Sequence, residues 1–139
     1  MTYALDTNIV SYILKGDKTV ETNWLREERL GNNSVIPLVT YYEIKRGLLA
    51  VNSLTKLEAF EKICNVLTVS DLTIKDINTA CFIYVELKKQ KKIIEDADIL
   101  IAAQAISRGH TLVTNNSKHF TGIKGLNITN WIEDSNHSQ

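Results

Sequence analysis

Three carboxylates stand where the chain changes from one element to the next: Asp6 after the short apolar run Thr2 to Leu5, Glu43 soon after Ser34 to Pro37, and Asp98 at the mouth of the apolar stretch that follows it. A hard divalent cation is held by one or two carboxylates, with water and phosphate oxygens completing its shell. Acids gathered at one point therefore suit metal-assisted chemistry on a phosphate. Asp96 precedes Asp98 by two residues, a spacing that does not share one face of a regular helix. The pair is expected to divide between capping and the site, with Asp98 facing the site. Capping accounts for each acid separately as well. Asp, Thr and Asn are favoured N-caps, negative charge is stabilised at a helix N-terminus, and Thr40 and Glu43 have the spacing of a capping box.

Positioning such acids requires elements that end together. Thr2 to Leu5 reads as a strand, followed after Asp6-Thr7-Asn8 by Ile9, Val10, Ile13 and Leu14 at helical spacing. Thr19 to Leu30 is amphipathic, Ser34 to Pro37 gives a second strand, and Thr40 opens a helix running to about Ala50. A helical pattern with Leu57, Phe60 and Ile63 leads to a strand at Val66 to Val69. Next comes a long helix whose buried stripe is expected to be Ile74, Ile77, Cys81, Tyr84 and Val85. It ends in Lys88, Lys89, Lys91 and Lys92, which complement the helix dipole and also form the most concentrated basic patch in the chain. The helix from Asp96 to Ser107 stops at Gly109, Thr111 to Thr114 is a strand, Asn115 to Phe120 a turn, and Asn127 to Trp131 a last short strand. Helix and strand signals alternate, so the expected fold class is α/β with a central, mostly parallel sheet flanked by helices on both faces. Parallel strands put their carboxyl ends on one edge, where ligands gather in open α/β sheets. There Asp6, Glu43, Asp98 and Asn116 can meet.

The 139 residues fit one domain, expected over 1–132 with a polar tail at 133–139. Lys plus Arg equals Asp plus Glu at 16 each, so no net field draws the chain to nucleic acid or to a membrane, and a polyanion must be met by a local patch. Arg46, one turn after Glu43, is a candidate for such contact. Cys64 and Cys81 lack metal-ligand spacing and read as buried thiols in a reducing compartment. No signal segment or membrane span is present in this sequence, which points to the cytoplasm. His119, alone in a polar loop, is placed outside the chemistry.

The ordered set Leu5-Asp6-Thr7-Asn8-Ile9, Glu43 within Thr40-Tyr41-Tyr42-Glu43-Ile44-Lys45-Arg46-Gly47, Asp98-Ile99-Leu100-Ile101-Ala102-Ala103, and Leu112-Val113-Thr114-Asn115-Asn116 with Phe120 resembles the PIN-domain ribonucleases. Within them it looks like the VapC toxins of bacterial toxin–antitoxin pairs. The resemblance implies a PIN-like fold and a metal-dependent endoribonuclease in which Asp6, Glu43 and Asp98 hold Mg²⁺ or Mn²⁺. In many relatives a fourth acid follows the Thr that matches Thr114, but here Asn116 stands at that place, and Asp96 is a candidate to replace some of the missing charge. Thr7, Asn8 and Thr114 would orient the acids. Lys88, Lys89, Lys91, Lys92 and Arg46 are the RNA-contact candidates. Similar toxins often act on structured RNA such as tRNA, are blocked by a cognate VapB-type antitoxin and form homodimers; the helices carrying Trp24 and Tyr84 are candidate surfaces. Two other functions compete. A haloacid dehalogenase-like phosphatase needs a second Asp two residues after the first, where this chain has Asn8. A PIN-like module that binds RNA or protein without cleavage would keep the fold while its acids only cap helices.

Overall fold

The computed structural model describes residues 1–132, so the expected polar tail at 133–139 lies outside the described residues. Five strands form one sheet: β1 (Thr2–Leu5), β2 (Asn33–Pro37), β3 (Thr68–Ser70), β4 (Thr111–Val113) and β5 (Asn127–Thr129), in the order β3-β2-β1-β4-β5. Every pairing is parallel, with Tyr3 opposite Ser34 on one side of β1 and Thr111 on the other. Parallel neighbours need long crossovers, and helices supply them. They are α1 (Thr7–Leu14), α2 (Lys18–Arg29), α3 (Leu38–Ala50), α4 (Leu54–Val66), α5 (Ile74–Lys89), α6 (Asp96–Arg108) and the single turn α7 (Ser117–Phe120).

The central strands β1, β2 and β4 are buried on both faces, as expected for a parallel sheet. Successive side chains point to opposite sides, so Ala4 and Leu112 join a core with Ala80, Ile83, Leu87, Ile101 and Ala102 of α5 and α6. Leu5, Ile36 and Val113 join a second core with Ile9, Val20, Ile44 and Phe60 of α1 to α4. Leu5, Ile9, Ile36 and Ile101 have no exposed surface; burying such side chains contributes about 1.5–3 kcal/mol each. These cores make the central strands rigid supports for the residues at their carboxyl ends.

Four local expectations are corrected. The inward stripe of α5 is Asp76, Ala80, Ile83 and Leu87, while Ile74, Ile77, Cys81, Tyr84 and Val85 face outward. An aspartate and an alanine lower the apparent hydrophobicity of the true stripe, so the outward face looks the more apolar of the two. Cys81 is accordingly exposed, and Cys64 is only half-buried. Helix α3 starts two residues before Thr40, with Pro37 at its N-cap; Thr40 Oγ1 donates to the Leu5 carbonyl at 3.0 Å instead of capping α3. That leaves Glu43 without a capping role. A capping box occurs at α5, where Thr73 and Asp76 bond reciprocally. Finally, β5 stops at Thr129, and Trp131 beyond it packs into the second core against Tyr3.

Candidate active site

The carboxyl ends of β1, β2 and β4 open on one cleft of about 670 Å³, and the chain places Asp6, Glu43 and Asp98 together in its lining with Thr7, Asn8 and Asn116. Asp6 follows β1 directly. Its amide donates to the Val113 carbonyl at 3.0 Å, which extends the β1–β4 ladder by one bond and fixes the residue at the edge. As N-cap of α1, its side chain accepts from the Thr7 amide at 2.8 Å. Capping and site roles therefore coincide in one residue. The other oxygen, Oδ2, accepts from Thr114 Oγ1 at 2.7 Å and Asn8 Nδ2 at 3.1 Å.

Glu43 projects from the second turn of α3 and accepts from Thr7 Oγ1 at 2.6 Å. Thr7 thus bridges Asp6 and Glu43, one through its amide and the other through its hydroxyl. Arg46 lies 3.6 Å from Glu43 Oε2 and over the Tyr42 ring at 4.9 Å, largely exposed beside the cleft. Asp98 comes from the first turn of α6, and His119 Nδ1 is 3.4 Å from its Oδ2. Thr114 also accepts from the Asn116 amide at 3.0 Å, and Asn8 Oδ1 accepts from the Asn115 amide at 3.0 Å. Thr7, Asn8 and Thr114 therefore tie the acids to the backbone, while Asn116 brings a neutral amide to the lining.

The electrostatics of this cluster are strained. Burial pushes the Asp6 carboxyl above its ordinary range, opposed by its three hydrogen bonds and reinforced by the charge of Glu43. Asp98 is also raised, first by burial and then by the charge of Asp6, with His119 working the other way and Glu43 adding to the rise. Like charges brought together without a counter-cation resist ionisation. Three carboxylates converging at strand ends are hard oxygen donors of the kind Mg²⁺ and Mn²⁺ take. The donor chemistry fits such a cation. Among the described residues, however, no three His, Cys, Asp or Glu side chains are drawn close enough to enclose a metal ion as they stand. Their rotamers are set instead by Thr7, Asn8, Thr114, Arg46 and His119.

Several residues fall differently from expectation. Asp96 is exposed and outside the cleft lining, and the N-cap of α6 is Glu95, whose side chain makes no capping bond. The expected split between capping and site is absent: Glu95 and Asp98 both line the cleft, and Asp96 does not. Of the four lysines at the end of α5 only Lys92 lines it. Lys88 lies over the Tyr84 ring and Lys89 pairs with Glu86. His119, expected outside the chemistry, is part of the lining, and so are Lys118, Ile93 and Gly122, none of which the sequence singles out. A signal exists for Lys118 and His119: both follow Asn116 in the turn after β4.

An open parallel sheet with an acidic cleft at the ends of its central strands defines a class of α/β domain, and sequence comparison identifies which. The chain belongs to the PIN-domain family, whose model matches residues 3–125. It is similar to ribonuclease VapC2 of Rickettsia felis, 33% identical over 94% of this chain and 98% of that one. Ribonuclease VapC2 of Haemophilus influenzae is 32% identical over the same shares of the two chains. Among solved structures, VapBC2 from Rickettsia felis bound to a DNA fragment from its promoter superposes with a TM-score of 0.89 at 28% identity, covering 94% of this chain and 99% of that chain. VapBC-1 from nontypeable Haemophilus influenzae gives 0.80 at 28% identity, covering 96% of this chain and 100% of that one. Among the described residues no helix is long and apolar enough to cross a membrane.

Proposed function

We propose that this chain is a metal-dependent endoribonuclease, the toxin of a VapBC-type toxin–antitoxin pair, and that it works in the cytoplasm. The observation that carries the proposal is the linkage of Asp6 and Glu43 through Thr7 in the cleft that Asp98 also lines. It is joined by the likeness to VapC ribonucleases over nearly the whole chain.

Asp6, Glu43 and Asp98 would hold Mg²⁺ or Mn²⁺, which supplies Lewis acidity toward the scissile phosphate. The rest of the work belongs to the protein. Thr114 and Asn8 hold Asp6 with its oxygens fixed, and Thr7 fixes Glu43, so the acids are oriented before substrate arrives. Asn116 contributes no charge where many relatives carry an acid, so the site relies on three carboxylates, with Glu95 closer at hand than Asp96 to add a fourth. An in-line displacement needs a phosphodiester that can reach an open edge. Single-stranded or looped RNA, including tRNA loops, meets that need.

The partner expected from the likeness to VapBC complexes is a VapB-type antitoxin. The outward face of α5, with Ile74, Phe82, Tyr84 and Val85 exposed, is a surface for self-association, whereas Trp24 packs against the second core. Purified protein free of antitoxin, incubated with total tRNA and a single-stranded RNA in Mn²⁺ or EDTA beside an Asp98→Asn variant, tests the proposal. Cleavage dependent on both the metal and Asp98 is expected. Folded protein that binds RNA and Mn²⁺ but cleaves neither substrate would favour the binding-module alternative.

A further inference from the structure

Gly122 is the one glycine of the six at which an added Cβ would meet a neighbour. Gly16, Gly31, Gly109 and Gly125 have φ between 67° and 85°, a backbone that favours glycine by itself, and at Gly47 an added Cβ meets nothing. Gly122 is not in that region, yet a Cβ there would lie 2.9 Å from Lys92 Nζ, 3.0 Å from Lys92 Cδ and 3.0 Å from Gln90 Oε1. The aliphatic stem of Lys92 crosses the bare Cα of Gly122, and Gln90 Nε2 donates to the Gly122 carbonyl at 3.3 Å. Two loops, one after α5 and one after α7, are thus latched together at the lining of the cleft.

The end of α5 delivers Lys92 to that place. The Lys92 amide bonds to the Leu87 carbonyl at 2.9 Å and Lys91 takes φ 56°, which closes the helix with a left-handed residue and turns the next side chain away from the axis. Lys92 and Lys118 both line the cleft, and among the described residues neither forms an ion pair with a carboxylate, unlike Lys89 with Glu86 or Lys45 with Glu61. Two such cations share the cleft lining with Asp6, Glu43, Glu95 and Asp98, so the cleft offers positive charge to a phosphate beside its carboxylates.

We infer that Lys92, whose side chain passes over the bare backbone of Gly122 into the cleft lining, clamps an RNA phosphate flanking the scissile one, with Lys118 a second cation in the same lining. The clamp rests on the ribonuclease function proposed above and adds the residues that position the substrate. It also separates Lys92 from Lys91, its neighbour in the same basic run, which lies outside the cleft. Ile93, fully exposed at the mouth, offers an apolar ledge for an unstacked base next to that phosphate.

The test is the affinity of the full chain for a labelled single-stranded RNA of mixed sequence, in Ca²⁺ and over a range of salt. Lys92→Ala is expected to weaken binding several-fold and to reduce the slope of log K against log salt by about 0.7, the share of one phosphate contact on a single strand. Lys92→Arg retains most of the affinity and Lys91→Ala changes little. Gly122→Ala, whose methyl group would push the mobile end of Lys92 aside, weakens binding less than Lys92→Ala, and its loss shrinks further in the Lys92→Ala background, where Gln90 Oε1 still stands 3.0 Å from the new methyl group. Should the single Gly122→Ala variant melt early, that background and the Lys92 variants still decide. Equal losses from Lys91→Ala and Lys92→Ala, or a full additional loss from Gly122→Ala without Lys92, overturn the clamp. Unchanged RNA affinity with a weakened antitoxin complex would assign the lysine to a protein carboxylate instead and also overturn it. If the wild type cleaves RNA while these variants behave like it, only the clamp falls; if the wild type binds no RNA, the ribonuclease proposal falls with it.

Discussion

Asp6 and Asp76 are both buried, at 3% and 1% exposure, and the fold treats them in opposite ways. Asp76 receives the Ser107 hydroxyl, the Thr73 amide at 2.8 Å and Arg108 Nη2 at 2.8 Å. Burial works to raise its pKa, but these donors outweigh burial and hold the carboxyl below its usual range. Asp6 also accepts three hydrogen bonds, yet all come from neutral groups, and its nearest charged neighbours in the cleft are acids; its pKa is raised. One aspartate is completed by the protein, whereas the other keeps an unmet demand for positive charge. A buried charge with a full set of partners is a structural group, whereas an acid with a raised pKa in a cleft beside other acids is a candidate for binding a cation from outside.

The widest separation between the two regions is expected in activity. Asp98→Asn or Asp6→Asn should lower RNA cleavage by about 10²–10³-fold, the range found when one preorganised charge-stabilising group is removed from an active site. Asp76→Asn should leave cleavage per folded molecule unchanged. Single-turnover assays on protein verified as folded check this, and a reversed order would break the distinction.

Stability should separate them the other way. Asp76→Ala removes the ion pair with Arg108 and the capping box of α5, for a loss of about 2 kcal/mol in urea unfolding. Because the folded pKa of Asp76 is depressed, its contribution is present above the unfolded pKa and is lost as pH falls through the folded one. The gap between wild type and variant should therefore narrow in acid. A gap that widened there would show that the ion pair is not its source.

Thr114→Val sharpens the comparison with a smaller effect. Thr114 is fully buried, and its hydroxyl is the largest influence holding the Asp6 pKa down against burial. Its removal should lower cleavage about tenfold at neutral pH, in line with one hydrogen bond to a charged group. The acid limb of the pH–rate profile should also move to higher pH. A drop in rate with no movement of that limb would mean that Thr114 acts on something other than Asp6.

The same contrast accounts for what is legible in the sequence. The acids of the cleft sit at strand ends and helix starts, so their place in the chain announces a shared edge, and the parallel sheet follows from alternating periodicities. The α5 stripe misleads because Asp76, a core position made tolerable by Arg108 from α6, carries no local sign of its partner 32 residues away. Thr40 and Glu43 have the spacing of a capping box, but the hydroxyl of Thr40 is taken by the Leu5 carbonyl of a neighbouring strand. Lys92 is indistinguishable from Lys91 in sequence because the difference is a backbone turn at the end of α5 and a glycine in another loop. At Asp76 and Thr40 the deciding contact is nonlocal, and at Lys92 a local turn and a distant glycine act together.

The last and smallest effect concerns what the cluster of acids costs the empty fold. The folded pKa of Asp98 is raised, chiefly by burial and by the charge of Asp6, so its favourable contribution is complete only below the unfolded pKa and is lost as pH rises through the folded value. At neutral pH the ionised carboxylate weighs against the folded state. Asp98→Asn removes the charge but keeps the shape, and in EDTA at pH 7 it should be more stable than wild type by about 0.5–2 kcal/mol, as when a functional residue is relieved of strain. Acidification toward about pH 4 should close that gap, since wild-type Asp98 is then increasingly protonated. Mn²⁺ should reverse the order, because a ligand that binds only the folded state stabilises the chain that binds it more tightly. Thermal melts of the two proteins across pH, with and without Mn²⁺, measure all three changes. A wild type more stable than Asp98→Asn in EDTA at pH 7 would put Asp98 in the same class as Asp76, an acid already satisfied by the fold, with His119 supplying the partner.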